Sequence, residues 1–233
     1  MKMGILAEGM TVLVIVFLLA VQRPVLAETL SIVPVKAPAI NCAFDPSCKI
    51  VVNDFVANFA WSSTGNDSFL QSRTWPQGKP GTAAAGLYAY LYRIDLSKAM
   101  AATNFTCLQS FSIPFGPVTP VDYGGTCSAS HVFVITSGGL GTIAPVSAVR
   151  QADNSIEFTF QSPFCNGGQP GKGGMSFFFG LASKYPPFQV VAKLSKDMGP
   201  AVNLQAVAPK YWSLGEPPAP KAIDGIKLKK NTP

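Results

Sequence analysis

Few side chains in this sequence could activate a nucleophile. The chain of 233 residues contains one histidine, His131, so a Ser-His-Asp or Cys-His relay would have to use it. The sequence lacks the G-x-S-x-G turn that exposes a serine nucleophile. His131 also begins an apolar segment, HVFVIT, that is typical of a strand. We therefore predict that His131 lies at the rim of a sheet and is not a catalytic base.

Glycoside hydrolysis is a second possible activity, because a glycosidase uses two carboxyl groups that flank the scissile bond. The spacing of the acidic residues that could meet in space does not single out two of them: Asp54, Asp67, Asp95, Asp122, Asp153, Glu157 and Asp197. Asp122 stands in VDYGG and is a weak calcium candidate, since the D-x-[DN]-x-[DN]-G pattern is absent. We predict no bound metal.

Two glycine-rich segments match nucleotide-binding motifs only in part. Residues 138–144, GGLGTIA, contain G-x-G-x-x-A, but that motif must open a helix, and Pro145 with the β-branched residues after it favours a hairpin. Residues 166–174, NGGQPGKGG, lack both the first glycine and the Ser or Thr of a phosphate loop. We predict no nucleotide and no other cofactor.

Trp75 is the residue best suited to bind a sugar, because a flat aromatic ring stacks on sugar rings and its N–H group tolerates water. It lies in RTWPQGKPG among turn-forming residues, where we expect exposure. The loops 75–86 and 114–131 would then form the site, with Trp75, Arg73, Lys79 and Tyr123 as its ligand-binding residues. The alternative is that Trp75 packs beneath its own loop.

The composition favours β-strands as the elements that position these side chains. Charged residues make up 13% of the chain, against roughly 25% in soluble domains. Glycine and proline are abundant, at 21 and 20 residues, and both disfavour helices. Short apolar segments separated by turn residues recur from residue 50 onward.

These segments predict about eight strands and one short crossover helix. The strands are expected at 53–61, 87–94, 107–115, 131–136, 143–149, 155–161, 176–182 and 188–194, and the helix at 97–103. The segment 155–161 alternates most clearly, while 87–94 is apolar on both faces and is expected to be central. We predict an all-β fold, an antiparallel β-sandwich that is Ig-like or jelly-roll-like.

The first 27 residues have the pattern of a secretory signal peptide. Lys2 precedes an apolar run from Thr11 to Val21, and Ala27 ends a small-residue cleavage site. The run is shorter than the roughly 20 residues of a membrane-spanning helix. We predict cleavage after Ala27, a secreted protein that is extracellular or periplasmic, and no stable membrane span. An uncleaved anchor is the alternative, because Glu8 weakens the basic start of the signal.

Five cysteines follow the signal, and an odd number leaves at least one thiol unpaired. Disulfides persist in exported proteins, and Cys42 and Cys48 flank a short loop that a bridge could close. If consecutive strands run antiparallel, Cys107 and Cys165 meet at one end of the sandwich, with Cys127 about 26 Å away. We predict the bridges Cys42–Cys48 and Cys107–Cys165 and a free thiol at Cys127. Pairing of Cys107 with Cys127 is the alternative.

The positive charge is too thinly spread for a nucleic-acid surface. The net charge is +6, and lysines concentrate only near the C-terminus, at Lys221, Lys227, Lys229 and Lys230. We predict no nucleic-acid partner. The chain divides into a signal peptide (1–27), an N-terminal segment with a local disulfide loop (28–49), a β-sandwich domain (50–213) and a disordered Pro/Lys-rich tail (214–233).

Four stretches, GLYAYLYRIDL, FGPVTPVDYGG, VFVITSGGLG and SFFFGLAS followed by paired prolines, are similar to those of a group of uncharacterised secreted bacterial proteins. The resemblance covers roughly residues 53–194. It implies an extracellular β-sandwich module and brings no established activity with it. It also implies that counterparts of Cys107 and Cys165 are kept.

We therefore expect a secreted, non-catalytic β-sandwich module with a structural role or an interaction with a surface or matrix. Its partner would be a cell-surface or matrix polysaccharide or a protein. A carbohydrate-binding module is the first alternative, and a glycoside hydrolase-like enzyme is the second.

Overall fold

A computed structural model describes residues 27–61, 67–101 and 105–211, except for the side chains of residues 161 and 162. The predicted tail at 214–233 and all of the predicted signal peptide except Ala27 lie outside the described residues. Twelve strands lie within the described ranges: β1 (Glu28–Thr29), β2 (Ile32–Lys36), β3 (Asn53–Phe59), β4 (Ser68–Trp75), β5 (Tyr88–Asp95), β6 (Cys107–Pro114), β7 (Val132–Ser137), β8 (Pro145–Arg150), β9 (Ser155–Cys165), β10 (Phe179–Ser183), β11 (Pro187–Lys196) and β12 (Val202–Pro209).

The strands form two six-stranded sheets. Sheet A has the order β1-β8-β9-β6-β11-β12, and sheet B has the order β2-β7-β10-β5-β4-β3. Neighbouring strands are antiparallel except β2 and β7, which are parallel. The all-β sandwich prediction is confirmed, although it expected about eight strands where the described residues form twelve.

The main hydrophobic core lies between the two sheets and is rich in aromatic rings. Tyr92 of β5, Phe111 of β6, Phe158 of β9 and Phe179 of β10 are completely buried and pack with ring centroids 4.8–6.0 Å apart. Burying each such side chain stabilises the fold by roughly 1.5–3 kcal/mol. The Tyr92 hydroxyl donates a hydrogen bond to the carbonyl of Val207, 2.9 Å away, so its polar atom is also satisfied.

A second hydrophobic core lies on the outer face of sheet B. It is covered by the 3-10 helix Ala39–Ala43 and by the loops 76–87 and 116–131, which together we call the cap layer. The backbone N–H of Lys79 donates to the carbonyl of Phe44, and that of Ala84 donates to the carbonyl of Ala43, both at 2.9 Å. These bonds join the loop 76–87 to the 3-10 helix. An apolar sheet face needs such a cover to exclude water.

The N-terminal segment belongs to the sandwich and connects its two sheets. Strand β1 pairs with β8 in sheet A, and β2, three residues later, pairs with β7 in sheet B. Among the described residues, the strands of the sandwich therefore start at residue 28, whereas the domain boundary was expected at residue 50. The crossover helix expected at 97–103 is wrong for its described residues, because 97–101 form a turn and a single bridge from Met100 to Gly167.

Both predicted disulfides are confirmed. Cys42 bonds Cys48, and Cys107 bonds Cys165 as its direct partner in the register of β6 and β9. Cys127 is exposed and free. The antiparallel reasoning was correct for these two strands because β6 and β9 are adjacent in sheet A, so that the start of one meets the end of the other.

Candidate ligand-binding face

Trp75 lies inside the second core, so the prediction that it is exposed for sugar stacking is wrong. Its exposed fraction is 4%, and its ring packs edge-on against Phe44 with centroids 5.2 Å apart. The indole Nε1–H has no acceptor among the described residues. Tyr123, also 4% exposed, packs 4.7 Å from Phe133 in the same core. Neither ring can stack on a sugar without displacement of the cap layer.

Lys79 holds the cap layer together through an ion pair. Its Nζ lies 2.5 Å from Asp45, whose Oδ1 also accepts hydrogen bonds from the backbone N–H (2.8 Å) and hydroxyl (2.6 Å) of Ser47. Hydrogen bonds from Lys79 and Ser47 lower the pKa of Asp45 to about 2. The predicted ligand-binding lysine therefore has a structural partner within the chain.

The cap layer covers only part of the outer face of sheet B, as one register row shows. From β3 to β2, this row reads Asp54, Arg73, Leu91, Gly180, Phe133 and Val33. Leu91 and Phe133 are completely buried, whereas the side chains of Arg73 and Asp54 remain 26% and 25% exposed. The next row begins with Val56, Gln71 and Arg93. We call the portion formed by Asp54, Val56, Gln71, Arg73 and Arg93 the arginine face.

Arg73, a predicted ligand-binding residue, is already paired on this face. Its Nε and Nη2 donate to the two carboxylate oxygens of Asp54 at 2.7 and 2.8 Å, a bidentate geometry that fixes the guanidinium plane. Its Cζ also lies 4.6 Å from the ring centroid of Phe178. The Arg73 side chain remains 26% exposed, so its free edge can still meet a partner.

Arg93 is the residue that the sequence analysis missed. Its guanidinium lies over two rings, 5.1 Å from the centroid of Phe69 and 5.4 Å from that of Phe178, and the residue is only 9% exposed. Its Nη1 donates a hydrogen bond to the sulfur of Met175, 3.5 Å away, and its Nε has no acceptor among the described residues. The sequence signal was a single charge inside the apolar segment LYAYLYRI.

The electrostatics of Arg93 follow from this placement. Burial lowers the pKa of its guanidinium, the carboxylate of Asp95 opposes that shift, and the like charge of Arg73 reinforces it. None of the ion pairs between described residues includes Arg93. Asp95 instead accepts the backbone N–H of Ser97 at 2.9 Å. Arg93 is thus a buried cation with weak internal compensation.

The carboxylates of the described residues all have partners within the chain. Asp122, the calcium candidate, accepts the backbone N–H groups of Thr126 at 3.0 Å and Cys127 at 2.7 Å, and these bonds lower its pKa. In the described ranges, three or more His, Cys, Asp or Glu side chains nowhere gather as a metal site would require. The acids with a hydrogen bond or ion pair are Glu28, Asp45, Asp54, Asp67, Asp95, Asp122, Asp153, Glu157 and Asp197.

His131 binds the segment that crosses from sheet A to sheet B. Its Nδ1 lies 2.9 Å from the hydroxyl of Ser31, and its own backbone N–H donates to that hydroxyl at 3.1 Å. Glu28 is 4.0 Å from Nε2 and pairs with Arg150 at 2.5 Å. The 4.0 Å separation exceeds hydrogen-bond distance, so the three groups lack the continuous relay of a catalytic triad.

Comparison with models of protein families, with curated proteins and with solved structures yields no match for this chain. The resemblance to uncharacterised secreted bacterial proteins therefore stays a prediction. Within the described ranges, no helix has both the length and the apolar character needed to cross a bilayer.

Proposed function

We propose that the protein is an exported, non-catalytic β-sandwich module that binds a surface or matrix partner through the arginine face of sheet B. The observation that carries the proposal is the incomplete cover of this sheet. The cap layer protects its apolar portion, whereas Arg73 and Val56 remain accessible on the same face. Two disulfides support function in an oxidising compartment outside the cytoplasm.

The arrangement of acidic residues favours binding over hydrolysis. A glycosidase needs one carboxyl group to donate a proton and a second to act as base or nucleophile. Asp54 instead neutralises Arg73, and Glu157, on the outer face of sheet A, accepts a hydrogen bond from Gln151. Carbohydrate binding, the first alternative, would have to use the arginine face, because Trp75 is buried.

The test compares two exposed valines on opposite sheets. Val56 on the arginine face is 48% exposed, and Val191 on β11 of sheet A is 42% exposed, so aspartate at either position should leave folding nearly unchanged. The exported protein and both variants are screened against a panel of soluble and insoluble polysaccharides. We expect Val56→Asp to weaken binding and Val191→Asp to bind like the wild type.

The opposite ranking of the two variants would place the binding surface on sheet A and contradict the proposal. Turnover of a polysaccharide, ester or peptide that is lost on substituting one acidic residue, such as Glu157→Gln, would show an enzyme instead. Absence of binding to every polysaccharide in the panel would contradict the carbohydrate alternative, and the same two variants would then be compared for binding to cell-surface proteins.

A further inference from the structure

Strand β3 is an edge strand of sheet B with one unpaired side among the described residues. It spans Asn53–Phe59, and in the described ranges only β4 pairs with it. None of the residues 53–58 is buried. An edge strand of this length presents a row of backbone N–H and C=O groups to solvent, and such a row is a template for pairing with another strand.

The other edge strands of the two described sheets are protected in ways that folded proteins commonly use. Strand β1 has only two residues, and β2 contains Pro34 and a register shift between Val35 and Lys36. On β12, the carbonyl of Val207 already accepts a hydrogen bond from the Tyr92 hydroxyl of sheet B, at 2.9 Å. Short length, proline, irregular register and occupied backbone groups all hinder the addition of a strand.

Strand β3 has none of these protections. It contains neither proline nor lysine, and all of its residues pair with β4 without a register shift. Its single charge, on Asp54, is neutralised by Arg73 through hydrogen bonds of 2.7 and 2.8 Å. Val51, Val52 and Val56 are 77%, 37% and 48% exposed, so apolar side chains concentrate along this edge. An unpaired edge beside exposed apolar side chains indicates an interface.

The sequence of β3 suits antiparallel pairing with its own copy. Val56 is the middle residue of the strand, so a two-fold axis at this position pairs the whole of β3 with β3 of the second copy. The two Val56 side chains then face each other, Asp54 faces the uncharged Asn58 of the second copy, and Phe55 faces Ala57. Opposed apolar residues stabilise a strand pair, and opposed like charges destabilise it. An axis at Asp54 would instead oppose two carboxylates, so the charges select the register centred on Val56.

We propose that two copies of this chain associate through their β3 strands and join their B sheets into one continuous antiparallel sheet. The backbone groups on the free side of each β3 supply the hydrogen bonds, and the facing Val56 side chains exclude water. This pairing keeps the outer faces of the two B sheets on the same side. The two arginine faces therefore lie side by side, although the association itself requires no surface or matrix partner.

The first measurement is sedimentation equilibrium of the exported protein in a Cys127→Ser background, which excludes a dimer linked through the exposed thiol. We expect a reversible monomer–dimer equilibrium with a dissociation constant of about 1–100 µM, because one added strand pair is a small interface. The chain has a net charge of +6, so sodium chloride should strengthen the dimer by screening repulsion. A monomer at all concentrations up to about 500 µM, or a dimer that salt weakens, would overturn the inference.

Charge substitutions at the two-fold position then locate the interface. In Val56→Lys, and equally in Val56→Glu, like charges would face each other across the axis, so each variant alone should dimerise about tenfold more weakly. An equimolar mixture of the two variants should dimerise more tightly than either alone, because a lysine of one chain then faces a glutamate of the other. Only a register that opposes position 56 to itself predicts this rescue.

Val191→Lys and Val191→Glu are the matched controls, since Val191 is 42% exposed on β11, which has a paired strand on each side. Both should dimerise like the Cys127→Ser protein, alone and mixed. Equal weakening at positions 56 and 191, or a mixture of the Val56 variants that stays as weak as either alone, would overturn pairing at β3. The assay contains no ligand, and the binding test of the proposed function is run at concentrations where the chain is monomeric. The two results are therefore independent.

Discussion

Removing the two disulfides separately should destabilise the protein by different amounts. The Cys107–Cys165 bridge joins residues 58 apart, whereas Cys42–Cys48 joins residues only 6 apart. A cross-link stabilises mainly by restricting the unfolded chain, and the effect grows with the logarithm of the loop length. The chain-entropy relation gives about 4 kcal/mol for the long loop and about 2 kcal/mol for the short one at 25 °C.

The native structure allows this comparison because the long-range pair is also a register pair. Cys107 and Cys165 lie opposite each other on adjacent strands of sheet A, Leu108 pairs with Phe164 beside them, and after a register shift the two strands stay paired from Ser110–Thr159 to Pro114–Ser155. Cutting the bridge should therefore leave the folded strands in place. The difference of about 2 kcal/mol corresponds to roughly 30-fold in the unfolding equilibrium constant.

The assay is urea-induced unfolding of two double serine variants in a Cys127→Ser background. That background prevents exchange between the exposed thiol and either bridge. We expect the variant without the long-range bridge to lose about twice as much unfolding free energy as the variant without the local bridge. Equal losses, or a larger loss from Cys42→Ser with Cys48→Ser, would refute the loop-length reasoning and show that the cap layer limits global stability.

Three further predictions concern the cap layer and sheet B. Trp75→Ala should lower the free energy of unfolding, measured in urea, by about 3–5 kcal/mol. Trp75→Phe should lower it much less, because phenylalanine keeps an aromatic ring in the core and removes the unpaired buried N–H. Asp45 has a pKa of about 2 in the folded protein, below its ordinary value of 3.8, so its stabilising effect is present above pH 4 and lost toward pH 2. The melting temperatures of the wild type and Asp45→Asn should therefore converge over that range. Gly180→Ala should lower the free energy of unfolding in urea by about 1–3 kcal/mol, because a Cβ at this position would lie 2.6 Å from the Phe133 ring.

Periodicity predicted the strands whose inner residues are large and apolar. All eight predicted segments correspond to strands, and in β9 the buried Ile156 and Phe158 alternate with outward-facing polar residues. Strand β4 was missed because its inner face includes Ser72 and Thr74, 1% and 7% exposed, while Phe69 faces outward. When only the sequence is considered, polar residues at these positions predict a loop.

The remaining missed strands are short or contain small residues. Strand β12 buries Ala206 and Ala208, whose small side chains give little periodic signal. Strand β1 has two residues, too few for any alternation, and β2 contains Pro34. Strands β1 and β2 depend on pairing with β8 and β7, which are distant in sequence, whereas β12 forms a hairpin with β11. For its described residues, the helix prediction at 97–103 failed because Met100 pairs with the distant Gly167.

The site prediction named Trp75 and Arg73, which lie on β4 of sheet B, but it placed Trp75 in a loop and could not show which part of the sheet is covered. Turn residues after Trp75 indicated exposure, whereas the loop they form folds back over the ring together with Phe44 of the disulfide segment. Contacts of this kind join residues about 30 positions apart in sequence and leave no local pattern. Arg93 was missed because an apolar strand predicts core packing on both faces.

The outer face of sheet B shows which of its residues the fold must cover. Along one row of sheet B, side chains change from charged at β3 to apolar at β7, and the cap layer covers the apolar residues Leu91 and Phe133. Water would otherwise contact that surface, so stability alone explains the cap. Stability does not explain Arg93, because an apolar residue of similar size would avoid an unpaired buried cation at the edge of the covered region. The charges of Asp95 and Asp54 and the rings of Phe69 and Phe178 offset part of that cost within the chain.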